Sequence, residues 1–347
     1  MTLVLAGGQV LFPDMQVREA DVLIDQETGT IAEVGPNLTG DRRLDASDCL
    51  VMPGLINAHT HAAMTLLRGY ADDEPLETWL REHIWPVEAE LTPEDVRAGT
   101  ELAAVEMIRS GTTAFADMYF EMGSVVEAVE TAGLRARVGH GIITVGKDEG
   151  DAATDVEEGL AIAEEYDGAA DGRVHTMVNP HSLTTVGERH LRAAIEGARE
   201  VGVPVHVHAN ETTDEVEPIV AERGQRPLAY ADEQGLLEPA DFLAHCVHLD
   251  DTEIELLAER GAGVVHCPAS NMKLASGAAP IQRLLEAGVP VALGTDGAAS
   301  NNDLDVFDEM RDAAMLGKLA TGDAAAVPAS AVVRMATAGG ADVFGFD

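Results

Sequence analysis

Lysine is nearly missing from this chain. There are three in 347 residues: Lys147, Lys273 and Lys318. With arginine the basic total reaches 22, against 61 Asp and Glu, a formal net charge of −39. The acidic excess runs along the whole chain and is not held in a tail. Neutralising a phosphate backbone or an anionic lipid face needs clustered Lys and Arg. The composition therefore argues against nucleic acid and membrane as partners. The charge has two readings, an electrostatic funnel for a cationic substrate or a self-repelling surface adapted to high salt. The second is simpler, and it predicts poor stability in dilute buffer.

Cysteine is also scarce. Cys49, Cys246 and Cys267 are odd in number, lack metal spacing and sit in apolar, strand-like stretches. They are expected as buried free thiols in a reducing cytoplasm. Long apolar runs are absent, and none approaches membrane-spanning length. The first residues, Met1-Thr-Leu-Val-Leu, lack a basic stretch followed by an apolar one. The expectation is a soluble, cytoplasmic protein.

Against these absences stands a hydrophobic share of 46%. That is enough for a large core and a smaller appendage. Residues 1–53 read as short strands and turns, a small β unit. From Gly54 the rhythm becomes strand, loop, helix, repeated. Strand-like cores fall at 54–59, 112–117, 135–143, 174–179, 203–209, 241–246, 263–267 and 289–294. Ala/Glu-rich segments with helical spacing lie between them. Examples are Pro93–Ser110 behind Thr92 as N-cap, Glu188–Val201 and 252–260. About eight such units predict an α/β fold, a (β/α)8 TIM-type barrel over 54–347. The last barrel helix is expected at 329–338, shortly before the final Phe344-Gly-Phe-Asp. No strands follow it to complete a β-sandwich-like unit at the N-terminus. Either the N-terminal strands pack on the barrel alone, or a C-terminal segment lies beyond this sequence.

In such a barrel the active site gathers at the C-terminal ends of the strands. The polar residues fall there. The first strand ends in His59-Thr-His61. Alternate strand residues share a face, so both rings can reach one ion. The fourth strand runs into Asn179-Pro-His181 and the fifth into His206-Val-His208-Ala-Asn-Glu211. The sixth ends at His245-Cys-Val-His248, the seventh at His266-Cys-Pro and the eighth at Gly294-Thr-Asp296. Any one of these histidines alone reads best as a hydrogen-bonded core residue. The set reads as a site.

These segments resemble the amidohydrolase superfamily, in its aminohydrolase branch. The likeness is greatest to the 5′-methylthioadenosine/S-adenosylhomocysteine deaminase and 5′-deoxyadenosine deaminase group. It is carried by Pro53-Gly-Leu-Ile-Asn-Ala-His-Thr-His61, Trp85-Pro-Val-Glu88, Asp117-Met-Tyr-Phe120, Pro180-His181-Ser, His208-Ala-Asn-Glu211-Thr, Ala244-His-Cys-Val-His248, Pro268-Ala-Ser-Asn271 and Gly294-Thr-Asp-Gly-Ala-Ala-Ser-Asn-Asn302. The resemblance implies that His59, His61, His208 and Asp296 hold one divalent metal. Three imidazoles and a carboxylate suit Zn²⁺ first and Fe²⁺ as the alternative. Binuclear members bridge two metals with a carboxylated lysine, and no lysine here stands at a suitable strand end.

The resemblance further implies hydrolytic deamination of 5′-substituted adenosines, with water activated by the metal. Glu211 would carry a proton to ring N1, His245 would bond the attacking oxygen, and Asp296 would pass a proton to the departing amine. Glu88 matches the ribose-binding position and His181 a nucleoside contact, and Trp79 could line the pocket. Members that bind the homocysteine carboxylate carry arginine at the end of the third strand. This chain has Gly139-His140-Gly141 there, which puts His140 among the substrate-side candidates. The acidic loop 147–155 has no arginine. A two-pronged carboxylate clamp is then doubtful, favouring 5′-deoxyadenosine, 5′-methylthioadenosine or adenosine over S-adenosylhomocysteine. His83, His175, His190, His206 and His248 are expected to be structural or on the surface, and His266 is left unassigned. The alternatives are a deaminase of guanine, cytosine or a triazine, and a non-catalytic paralogue acting as a scaffold. A homo-oligomer is expected.

Overall fold

The computed structural model describes residues 1–346. The chain divides into two compact units, Met1–Gly54 and Leu55–Asp347. The first holds β1 (Thr2–Leu11), β2 (Val17–Asp25), β3 (Thr30–Gly35), β4 (Arg42–Asp45) and β5 (Leu50–Val51). They form one sheet in the order β3-β2-β1-β4, with β5 also paired to β1. A sandwich needs a second layer, and the strands of this unit do not supply one. Asp21 ties the sheet by accepting the backbone N–H groups of Gly7 at 2.7 Å and Leu38 at 2.9 Å. Val10, Ala20 and Val22 make its small core. Cys49, expected to be buried, is exposed.

The second unit carries the parallel strands β6 (Leu55–Thr60), β7 (Thr112–Tyr119), β8 (Arg135–Ile142), β9 (Val174–Thr176), β10 (Asn179–Pro180), β11 (His206–Ala209), β12 (Phe242–His245), β13 (Gly263–His266) and β14 (Val291–Leu293). Each of the eight expected strand segments contains a strand. The fourth is split: β9 and β10 pair with β8 in one register, and between them Val178 bridges to Val205 instead. One sheet runs from β6 to β10 and the other from β11 to β14. Parallel bridges Val178–Val205 and Ser182–His208 link them on one side. On the other, the Asp296 N–H donates to the His59 carbonyl at 3.0 Å.

Helices alternate with these strands. Pro93–Ser110 begins at Thr92 in a capping box with Asp95 and ends at Gly111, whose φ is +93°. Glu188–Val201 and Asp251–Arg260 lie where their periodicity places them. The expected helix at 329–338 is two, Ala329–Met335 and Ala338–Phe344. The break lets Gly339 and Gly340 lie directly against β14 and β6. An added Cβ would come within 2.6 Å of the Val291 carbonyl or 2.7 Å of Ile56. No described helix is long and apolar enough to cross a membrane.

Candidate active site

Five side chains meet at the C-terminal ends of the second unit's strands. His59 comes from β6, His61 from just beyond it, His208 from β11, His245 from β12 and Asp296 from just after β14. His59 Nε2 lies 3.2 Å from His208 Nε2 and 3.3 Å from Asp296 Oδ1. His61 Nε2 lies 3.2 Å from the same oxygen. Ligand atoms of His59, His208, His245 and Asp296 all fall within 4.8 Å of one another.

The other ring nitrogens are committed. His61 Nδ1 donates to the Met118 carbonyl at 2.5 Å and His208 Nδ1 to the His181 carbonyl at 2.6 Å. His245 Nδ1 donates to Asn271 Oδ1 at 2.9 Å. His59 Nδ1 lies 2.8 Å from His206 Nε2. A carbonyl only accepts, so each ring it holds carries its proton on Nδ1 and, when neutral, presents a bare Nε2. Bare nitrogens converging beside a carboxylate repel one another unless a cation lies between them. The residues thus fit one divalent cation with nitrogen and oxygen ligands.

The electrostatics keep His59 and His208 neutral but pair His61 with Asp296. Burial first, then neighbouring histidines, hold the His208 ring well below its ordinary pKa. Burial pulls His59 down to about 4, against the opposing pull of Asp296. Burial works against protonation of His61 as well, but the Asp296 carboxylate overrides it and raises that ring to about 9. Asp296 is buried, yet His59 and His61 keep its pKa well below the carboxylate range.

The surroundings hold Asp296 in place. Its Oδ2 accepts from Ser270 at 2.6 Å and Ser300 at 2.8 Å. Asn57 exchanges two hydrogen bonds with Thr295, joining β6 to the residue before Asp296. Asp296 and His245 have φ of +61° and +70°, a left-handed backbone that side chains rarely adopt. Gly294 runs so close to β6 that a Cβ there would lie 2.8 Å from that of His59. The tight turn after His61 is held by Asp117, which accepts from Thr60 Oγ1 and the Ala62 N–H.

A pocket open to solvent leads to these groups. Glu211 lines it and is buried, which raises its carboxyl above the ordinary range. Its Oε2 lies 3.7 Å from His245 Nε2 and its Oε1 accepts from Ser276 at 3.3 Å. Glu88 also lines the pocket, and burial raises it too. Glu88 Oε1 and the neighbouring Tyr119 hydroxyl have no partner of good hydrogen-bond geometry, though they lie close enough for each to shift the other's titration. His181 lines the pocket, with Nδ1 3.0 Å from Thr185 Oγ1. Trp79 is in the wall and spends its indole N–H on the Ala71 carbonyl.

His140 is not brought to the pocket. Its Nε2 faces Asp155 at 3.1 Å, and the neighbouring Gly141 forms the wall instead. Lys147 is tied to the same carboxylate at 2.9 Å. No lysine or arginine lines the pocket among the described residues. Ser270, Ser300 and Glu215 were not among the expected site residues, and His206 was expected to be structural or on the surface. The Glu215 carboxyl accepts the Glu211 backbone N–H at 2.8 Å. His206 carried a usable signal, because His206-Val-His208 repeats the alternation of His59-Thr-His61.

Comparison with known proteins follows the same lines. A 5-methylthioadenosine/S-adenosylhomocysteine deaminase of Natronomonas pharaonis is 67% identical over 346 residues, spanning 100% of this chain and 80% of that protein. A 5′-deoxyadenosine deaminase of Methanosarcina mazei is 48% identical over 331 residues, 95% of this chain and 76% of that protein. The crystal structure of an adenosine deaminase from Xanthomonas campestris with bound zinc superposes with a TM-score of 0.91 at 41% identity, covering 99% of this chain and 80% of that one. The amidohydrolase family model matches residues 50–347, and the chain belongs to that family.

Proposed function

We propose that the protein is a metal-dependent aminohydrolase that deaminates the adenine ring of 5′-substituted adenosines, with 5′-deoxyadenosine and 5′-methylthioadenosine as its best substrates. The observation that carries this reading is the convergence of imidazole nitrogens on Asp296 with the buried carboxyl of Glu211 beside them. The names borne by the relatives support it.

His59, His61, His208 and Asp296 would hold a single divalent ion, zinc first. A bridging lysine for a second ion is lacking. Lys147 is paired with Asp155, Lys273 with Asp72, and Lys318 with the Val327 carbonyl. The bound ion supplies Lewis-acid activation of a water molecule. Glu211 would take a proton from the attacking water and deliver it to ring N1. His245 presents Nε2 to the attacking oxygen. Asp296 passes the second proton to the amine, so the ring gains oxygen at C6 and loses ammonia. A carboxyl lifted by burial suits a group that must both accept and return a proton.

The orphaned oxygen of Glu88 and the hydroxyl of Tyr119 suit ribose hydroxyls, with His181 and Trp79 completing the wall. Without a basic side chain in the lining, a carboxylate on the 5′ group finds no clamp. A side chain at Gly139 would meet Asn179, so that position cannot supply one without rearrangement. The parallel strands, bonded at both seams, are read as a closed (β/α)8 barrel. The exposed apolar residues Ile31 and Leu44 of the first unit suit one layer of a sandwich.

The test is an ammonia assay with zinc, offering 5′-deoxyadenosine, 5′-methylthioadenosine, adenosine, S-adenosylhomocysteine, guanine and cytosine. Release from the first two, with S-adenosylhomocysteine the slowest nucleoside, is expected. Release only from guanine or cytosine overturns the nucleoside reading.

A further inference from the structure

We propose that His206 is a positioning residue that fixes the tautomer of His59 and thereby sets the affinity of the metal site. The inference rests on the reading of His59 as a ligand. His206 is fully buried on β11, two residues before His208, with its ring stacked on Phe242 at 4.2 Å between centroids. Its Nδ1 lies 2.9 Å from the Phe242 carbonyl, and its Nε2 lies 2.8 Å from His59 Nδ1.

The donor sequence has one solution for neutral rings. The Phe242 carbonyl can only accept, so His206 carries its proton on Nδ1. Its Nε2 is then an acceptor, and the bond to His59 requires the proton on His59 Nδ1. His59 Nε2 is left bare, facing Asp296 and His208. The other tautomer of His59 would put a hydrogen between itself and the ion. It would also set two lone pairs against each other at 2.8 Å. His61 and His208 are oriented by backbone carbonyls, which a substitution at a nearby residue cannot remove. His59 alone among these three depends on a side chain, so its orientation is open to mutation. Outer partners of ligating histidines typically contribute about 10- to 100-fold in metal affinity.

Two variants and one spectrum test this. His206→Phe keeps the ring volume against Phe242 and removes the acceptor. His206→Gln offers an amide oxygen to His59 and restores an acceptor. Zinc affinity of the stripped proteins is measured by competition with a chelator, with His61→Ala as a control for the site itself. Phe at 206 is expected to weaken zinc by about 10- to 100-fold, with Gln recovering part of it. KM for the nucleoside should change little, because His206 is not in the pocket lining. Histidine ¹⁵N spectra of the metal-free wild type should show His59 protonated at Nδ1 and His206 unprotonated at Nε2. This reading does not depend on how the variants fold. Unchanged zinc affinity in His206→Phe, or a proton on His206 Nε2, overturns the proposal. If His61→Ala also binds zinc like the wild type, the ligand assignment itself has failed.

Discussion

The four histidines around Asp296 each engage one ring nitrogen within the protein. That internal bonding turns a cluster of rings into a directed set of lone pairs. Glu211 stands beside them with a different task, and its substitution separates the two. Glu211→Gln should lower kcat by at least about 100-fold, since proton transfer by a placed group contributes that much or more. Zinc content, measured by elemental analysis, should stay at the wild-type level. Retained turnover in that variant would remove Glu211 from the chemistry. Strand alternation made His59 and His61 legible as a pair, and the family resemblance added His208 and Asp296 to the candidate ligands. Their Nδ1 partners were not, because Met118 and His181 contribute backbone carbonyls that any residue type would supply. His140 was misplaced for a related reason. The end of β8 was visible, but not which residue of Gly139-His140-Gly141 faces the pocket. With Gly141 in the wall, alternation turns His140 toward Asp155.

At the scale of elements, the site depends on two strands approaching unusually closely. Gly294→Ala would set a methyl against His59, 2.9 Å from its backbone nitrogen. The substitution should cost about 1–3 kcal/mol by overpacking and weaken zinc binding with it. Denaturant unfolding with and without zinc measures both. A gain in stability would mean that the approach is looser than described. The helix Pro93–Ser110 offers a comparison outside the set of candidate site residues. Thr92→Ala removes its capping box and should cost about 1 kcal/mol in unfolding free energy, with kcat unchanged. This cap was legible because Thr-Pro-Glu-Asp is a local signal. The break before Ala338–Phe344 was not, because the close approach it allows, of Gly339 and Gly340 to β14 and β6, is a tertiary contact. The split of β9 from β10 likewise falls where Val178 pairs with Val205, which no local pattern records.

At the scale of the molecule, the net charge of −39 and the neutral character of the chemistry pull apart. The charge is spread over the chain, whereas the pocket is built for a nucleoside. Self-repulsion should therefore act on stability and leave the chemistry largely alone. Raising salt to about 1 M shortens the screening length to about 3 Å and should raise the thermal unfolding midpoint markedly. A midpoint that falls or stays constant would contradict the halophilic reading of the composition. The run of parallel strands was open to sequence reading because strand and helix patterns alternate along the chain. The arrangement of the first unit's five strands as one sheet was not, since short alternating strands do not announce their partners. Reaction and metal come together in one measurement, ammonia release from 5′-methylthioadenosine by protein stripped of metal and then titrated with zinc. Turnover should vanish on stripping and return in full at one equivalent. Turnover that survives stripping, or that needs a second equivalent, would contradict a single-ion deaminase built on His59, His61, His208 and Asp296.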